Sequence, residues 1–178
     1  MNGAPTDEKE KSLRDLAMKI GLRRNCWLYP SEPEVEGFLG AGPIFVVGDQ
    51  PSTAAWDYEH PHRRAFYDLL AAEGAGSSHL TDIYKRRGPS GELRNGLPQD
   101  FEEHLEIFRA EVSLLNPTTI LALGWDAYEL LLKHTPELTK RIIRVWHFGT
   151  VRHGKLKEFQ SRLRKGIAAA RRLARPSV

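Results

Sequence analysis

Residues 44–52 of this 178-residue chain read IFVVGDQPS, and this stretch decides the fold class. A run of four apolar residues that ends in glycine, a carboxylate and proline is typical of a buried parallel strand followed by a functional loop. Short apolar runs recur at residues 79–84, 119–123 and 142–146, and polar residues or glycine follow each of them. The sequence therefore predicts four strands in a mostly parallel sheet.

Amphipathic segments alternate with these strands and predict helices. Apolar side chains recur at helical spacing over residues 6–21, 63–73, 100–115, 124–133 and 155–175. Strands that alternate with helices of these lengths predict an α/β fold, a three-layer α/β/α sandwich around a mostly parallel four-stranded sheet. The length predicts a single domain over residues 1–178, with a helix and connection over 1–40 and a basic helix over 155–175.

The composition excludes several classes of protein and site. A single cysteine, Cys26, excludes an internal disulfide and any cysteine-based zinc or iron–sulfur site within one chain, so we expect no metal and no cofactor. No apolar run approaches the ~18 residues of a membrane span, and residues 1–11 contain no signal core. These features predict a cytoplasmic protein that acts without a membrane partner.

Basic residues are concentrated in two places. Residues 152–178 contain nine lysines and arginines against one acid, Glu158, and residues 85–87 read Lys-Arg-Arg. Such clusters suit a polyanion, because lysine and arginine that neutralise phosphates release counterions. A solvated helix face is the alternative interpretation of the C-terminal cluster.

Polar side chains follow all four predicted strands. In open α/β sheets, ligands bind beyond the carboxyl ends of the strands, so residues in these positions are candidates for a site. The candidates at these ends are Asp49, Asp82, Lys85, His147, Arg152 and His153.

Four stretches resemble, in order, the motifs of the uracil-DNA glycosylase superfamily. Residues 48–52 (GDQPS) are similar to its first motif, a strand followed by Gly-x-x-Pro. Residues 56–61 (WDYEHP) resemble the aromatic-x-His-Pro stretch of the mismatch-specific branch, and residues 80–85 (LTDIYK) resemble a Thr-Asn-x-x-Lys segment of the iron–sulfur branch. Residues 115–124 (LNPTTILALG) match the family's Pro-x-x-Ile-x-Ala-Leu-Gly strand.

The chain departs from the family pattern where function is decided. The second catalytic motif, usually His-Pro-Ser or Asn-Pro-Ser, reads His-Phe-Gly at residues 147–149. Asp82 stands where the family has the asparagine that reads uracil, and the cluster cysteines are absent. An ionised Asp82 only accepts hydrogen bonds, so uracil is read poorly unless Asp82 is protonated, is turned away, or is replaced by backbone donors. A hydrogen-bond acceptor at residue 82 suits a base edge that bears an amino group. Alternatively, the pocket favours another deaminated base, such as hypoxanthine or xanthine.

The resemblance implies a monomeric DNA glycosylase that removes uracil or another deaminated base from DNA by base flipping, in base excision repair. Asp49 would stabilise the sugar cation or orient water, and His147 would stabilise the departing base. The base would contact Gln50, Tyr58 and Asp82, with Tyr58 stacking on it. The expected DNA contacts, including Val151 as a wedge in the base stack, are Lys85, Arg86, Val151, Arg152, His153 and Lys155.

Three of these candidates also have a structural interpretation. Asp49 suits an Asx turn or a helix N-cap, His147 suits a histidine bonded to a loop carbonyl, and Asp82 suits an ion pair with Lys85 or Arg86. For the whole chain, two other functions stay open. One is a catalytically weak or inactive DNA-binding protein on the same scaffold, and the other is a protein that binds a nucleotide or phosphorylated metabolite.

Overall fold

The computed structural model describes residues 8–9, 11–12, 15–16, 40, 42–51, 61–89 and 91–173, without the side chains of residues 61–63 and 152. The six described residues of the predicted N-terminal helix are helical, while the rest of that helix lies outside the described residues. Tyr58 also lies outside them. The predicted α/β class is confirmed, since the described chain alternates strands with helices that cover both faces of one sheet.

The sheet has four strands, all parallel, in the order β2-β1-β3-β4. Their bounds are β1 Ile44–Gly48, β2 His79–Asp82, β3 Thr119–Leu123 and β4 Ile142–Val145. Strands β1 and β3 are buried throughout, which explains why both are continuous apolar runs in the sequence. The prediction of a mostly parallel sheet therefore sharpens to a wholly parallel one.

The strand order changes direction between β1 and β3. From β1 the chain crosses to one side to form β2, and it then returns past β1 to form β3 and β4 on the other side. The register places Val46, Leu121 and Ile143 in one row across the three neighbouring strands. In open parallel sheets the crevice at such a point, beyond the carboxyl ends of the strands, is where ligands bind.

Two helices cover each face of the sheet and enclose two apolar cores. Their bounds are α1 Pro61–Ala72, α2 Phe101–Leu115, α3 Gly124–His134 and α4 Leu156–Leu173. Helices α2 and α3 bury Phe108 and Leu131 against one face, and α1 and α4 bury Phe66 and Phe159 against the other. Among the described residues, no helix has both the length and the apolar character needed to cross a bilayer.

A glycine allows the basic helix α4 to approach the sheet closely. A Cβ added at Gly166 would lie 2.6 Å from Cγ1 of Val145, closer than real side chains approach. The buried side of α4 packs onto β3 and β4 through Leu163 and Ile167. The predicted basic helix is therefore docked on the core and presents its lysines and arginines to solvent.

Candidate functional site

A cleft of about 630 Å³ opens beyond the carboxyl ends of β1, β3 and β4, at the point where the strand order changes direction. It brings together residues that are far apart in the sequence. The polar and aromatic side chains along it include Asp49, Arg94, Trp125, Asp126, Arg144 and His147. Asp49 and His147, the two catalytic candidates from the sequence, therefore line one cavity.

Asp49 follows β1 directly and is half-buried. Burial raises the pKa of its carboxyl, and the hydrogen bonds it accepts from the backbone N–H groups of Asp49 and Gln50 act against that rise. The charge of Asp126 raises this pKa further, whereas Arg94 lowers it, and the net pKa lies above its usual value. The carboxylate therefore bonds to its own backbone, and the residue also lines the cleft.

His147 follows β4 and caps a short 3₁₀ segment, Phe148–His153. Its Nδ1 accepts a hydrogen bond of 3.0 Å from the backbone N–H of Gly149. In the neutral ring the proton then resides on Nε2. His147 also lines the cleft. Gly124, the first residue of α3, has φ +94°, a conformation that favours glycine, and a Cβ there would lie 3.4 Å from Cβ of His147.

Arg94 and Asp126 form a charged pair in the cleft. Arg94 lies in the 3₁₀ segment Glu92–Arg94 and Asp126 in the first turn of α3, and two hydrogen bonds of 2.6 Å join them. With Asp49, they also line a second cavity of about 300 Å³. Sequence reasoning included Asp126 in the segment after the third strand but missed Arg94, which lies in a glycine- and proline-rich loop with no motif.

Two of the three residues predicted to bind a base line neither cavity. Gln50 is buried, and its Nε2 donates to the main-chain oxygen of Pro89 at 2.7 Å, which supports the loop that carries Arg94. The carboxylate of Asp82 lies against Gly48, where an added Cβ would be only 2.2 Å from Asp82 Oδ1. Burial, followed by the charge of Asp49, raises the pKa of Asp82 to about 7.

The prediction that Lys85 contacts DNA is wrong, because its side chain is 0% exposed. Its Nζ donates to Glu111 Oε2 at 2.8 Å, to Thr81 Oγ1 at 2.7 Å and to the main-chain oxygen of Asp82. Lys85 therefore neutralises the buried carboxylate of Glu111 on α2. Toward Asp82, Lys85 donates a hydrogen bond to the main-chain oxygen, and its charge lowers the pKa of the Asp82 carboxyl.

Glu111 was missed by sequence reasoning, although a signal existed. Its spacing from Phe108 and Leu115 places it on the buried stripe of α2, where a charged residue requires a partner. Burial raises the pKa of Glu111, but the Lys85 charge and the hydrogen bond with His79 lower it more, so the net pKa lies below its usual value. The pair ties the end of β2 to α2.

The other predicted DNA contacts lie on or near the surface. Arg86 is exposed and pairs with Asp100, whereas His153 is exposed and lines the cleft. Lys155 is exposed beside the cleft, 5.7 Å from the ring centre of Trp146. Val151 is half-buried against the core under α1 and α4, and for Arg152 only the backbone, in the 3₁₀ segment after β4, is described.

Within the described ranges, no three histidine, cysteine, aspartate or glutamate side chains gather into a possible metal site. No protein-family model matches the chain, and no curated protein matches it either. The observations that bear on function therefore lie in the cleft itself, where a carboxylate, an ion pair, an imidazole and two indole rings meet.

Proposed function

We propose that this chain is a DNA glycosylase that hydrolyses the N-glycosidic bond of uracil or another deaminated base in DNA, with the base flipped into the cleft. The observation that carries the proposal is the convergence of Asp49 and His147, from the ends of two different strands, on one cavity. Its volume of about 630 Å³ lies within the range of about 300–1,000 Å³ that small-molecule sites occupy.

The chemistry of the reaction fits these two side chains. When the bond between C1′ and the base nitrogen breaks, its electron pair leaves with the base, and the sugar becomes electron-deficient. The Asp49 carboxylate stabilises that sugar cation or accepts the proton of the attacking water. The second role suits a carboxyl whose pKa is raised, because a stronger base accepts the proton more readily. The Nε2–H of His147 donates a hydrogen bond to the departing base anion.

Water is the nucleophile in this mechanism. Among the described residues that line the cleft there is no lysine to attack C1′ as an amine. The reaction then yields the free base and an abasic sugar without cutting the strand. We place this activity in base excision repair, in a monomeric protein of a bacterial-type cytoplasm.

The catalytically inactive DNA-binding protein remains the second candidate. One observation favours it, since Gln50 and Asp82, the expected readers of the base, line neither cavity. The departure from the family motif at residues 147–149 also favours a protein that binds DNA without catalysis. This candidate predicts binding of DNA that contains an abasic site, without excision of any base.

A base-excision assay separates the two candidates. Labelled oligonucleotides that carry uracil, hypoxanthine, xanthine or no modified base are incubated with the protein, as single strands and as duplexes, and then treated with alkali to break abasic sites. Alkali-dependent breaks with one modified base establish a glycosylase and identify its base. If every oligonucleotide is bound and stays intact, the enzyme proposal fails.

The variant Asp49→Ala tests the assigned role of the carboxylate. We expect it to lower excision far more than DNA binding, because its interaction is realised with the charge that develops on the sugar. Asp68→Ala is the matched control, since Asp68 is an exposed carboxylate on α1 that does not line the cleft. An equal loss of binding and excision in Asp49→Ala would remove Asp49 from the mechanism.

A further inference from the structure

Two aromatic rings, each with a stacked cation, flank the end of β4 at the cleft. On one side, the guanidinium of Arg144 lies 4.6 Å from the ring centre of Trp125 and 5.9 Å from that of Tyr128. On the other side, Arg162 lies 4.4 Å and Lys155 5.7 Å from the ring centre of Trp146. Both indole rings line the same cleft as Asp49 and His147.

Trp125 is unusually exposed for an indole. The residue is 52% exposed, although Arg144 covers part of its ring. It is the one aromatic residue among the large apolar side chains that are exposed in the described part of the chain, the others being Leu97, Leu156 and Leu173. A half-exposed ring at the edge of a polar cleft offers a flat apolar surface to a ligand.

The cations beside the rings are held in place and are accessible. Arg144 lies on the edge strand β4, Lys155 directly precedes the basic helix α4, and Arg162 lies in its second turn. All three are exposed, and contact with an aromatic ring restricts the freedom of a long side chain. These positive charges surround the cleft with donors for phosphate oxygens.

Stacking rings with adjacent cations match the chemistry of an unpaired nucleic-acid strand. Bases of a single strand expose their faces and stack on aromatic side chains, while the backbone follows a positively charged groove. In a duplex, neighbouring bases cover those faces, so an indole gains little from stacking there. A half-exposed ring beside the cleft therefore suits unpaired DNA better than paired DNA.

We propose that Trp125 with Arg144, and Trp146 with Arg162 and Lys155, form a surface that binds single-stranded DNA on either side of the cleft. The face of Trp125 takes a base next to the target nucleotide, and the cations at Trp146 take the phosphates beyond it. The proposal rests on the proposed function for the reaction in the cleft, but the binding itself is independent of catalysis. Single-stranded DNA is then the preferred substrate.

The test measures binding of labelled oligodeoxythymidine, which contains no deaminated base, by fluorescence anisotropy, with a duplex of equal length in parallel. We expect the wild-type protein to prefer the single strand. Trp125→Ala should weaken single-strand binding about tenfold, by loss of one base stack, and change duplex binding much less. Trp125→Phe should retain most of the affinity, because it keeps an aromatic face.

Intrinsic fluorescence gives a second readout of stacking. The chain has four tryptophans, Trp27, Trp56, Trp125 and Trp146. A base stacked on Trp125 quenches its emission, so the quenching produced by oligodeoxythymidine should fall in Trp125→Phe while binding persists. Leu173→Ala, which removes exposed apolar surface outside the cleft, is the matched control and should bind as the wild type does.

Three results would overturn the proposal. The first is equal affinity of the wild type for the single strand and the duplex. The second is an equal loss of single-strand and duplex affinity in Trp125→Ala. The third is an equal loss of single-strand affinity in Trp125→Ala and Trp125→Phe. A parallel oligouridine of the same length distinguishes RNA from DNA, and a preference for it would overturn the choice of DNA. Failure of the glycosylase proposal looks different, because single-strand binding would persist while every modified base stays intact.

Discussion

Arg94 donates hydrogen bonds from Nε and Nη2 to the two carboxylate oxygens of Asp126, each at 2.6 Å, inside the cleft that Asp49 lines. The pair joins a loop to the start of α3 across 32 residues of sequence. Its two charges act on Asp49 in opposite directions, since Asp126 raises the pKa of that carboxyl and Arg94 lowers it. The pair therefore adjusts the ionisation of the proposed catalytic group.

Variants of this pair should move the pH profile of excision in opposite directions. In the proposed mechanism excision requires ionised Asp49, so we expect it to be lost as the pH falls through the pKa of that group. Asp126→Asn removes the carboxylate that raises this pKa and should move the acid limb to lower pH. Arg94→Gln removes the cation that lowers it and should move the limb to higher pH.

The measurement is the single-turnover excision rate across the acid range for both variants and the wild type. Asp68→Asn, a change of an exposed carboxylate on α1, serves as the control and should leave the limb in place. Shifts in the same direction for both variants of the pair would contradict this electrostatic account.

His147 should matter most when the departing base is a poor leaving group. Loss of its Nε2–H donor in His147→Ala should slow uracil excision by about 10²–10³-fold, as for other preorganised donors to a developing anion. The loss should be smaller for 5-fluorouracil, because fluorine withdraws electrons and stabilises the base anion without help.

His153→Ala is the informative comparison for His147, since His153 is exposed and lines the same cleft. We expect it to weaken DNA binding with no dependence on the leaving group. If the rate loss in His147→Ala is the same for uracil and 5-fluorouracil, His147 does not stabilise the base anion.

The buried Lys85–Glu111 pair should carry stability rather than DNA affinity. Lys85→Met leaves Glu111 buried without its ammonium partner, which should cost about 3–5 kcal/mol of unfolding free energy. The double variant Lys85→Met, Glu111→Leu should recover much of that loss, because no unpaired charge remains. Urea unfolding of the wild type, the single variant and the double variant measures both effects.

DNA binding by the Lys85 double variant tests the correction to the sequence prediction. If Lys85 contacts no phosphate, the salt dependence of binding should equal that of the wild type. A shallower slope would show that the side chain reaches DNA after all.

Asp82 should make stability depend on pH near neutrality. Its pKa is about 7 in the folded protein, against 3.8 for an ordinary aspartate, so the folded state holds this proton more tightly than the unfolded chain does. The resulting stabilisation is present below pH 3.8 and is lost as the pH rises through about 7.

Asp82→Asn removes this titration and should gain stability over the wild type as the pH rises. We expect a difference of about 2 kcal/mol at slightly alkaline pH, since one unit of pKa is worth about 1.4 kcal/mol and the side chain keeps some contact with water. Urea unfolding of both proteins at several pH values measures it. A constant difference from acid to alkaline pH would contradict the assignment.

Local patterns in the sequence determined the elements of this fold. Strand β3 begins and ends where the apolar run does, because a strand buried on both faces is a continuous apolar run. Helix α2 begins directly after Asp100, because apolar residues at helical spacing are needed to bury one side of a helix. The same reasoning placed Asp49 and His147 at strand ends, where parallel topology gathers side chains at one edge of the sheet.

The tertiary structure alone decided which charged groups meet. Lys85 and Glu111 are 26 residues apart, Arg94 and Asp126 are 32 apart, and only the packing of loop and helices against the sheet brings each pair together. It also turned Lys85 from an expected phosphate contact into a buried counterion, and it placed Gln50 and Asp82 outside the cleft. Periodicity determines which side chains face inward, but their partners depend on how separate elements pack in space.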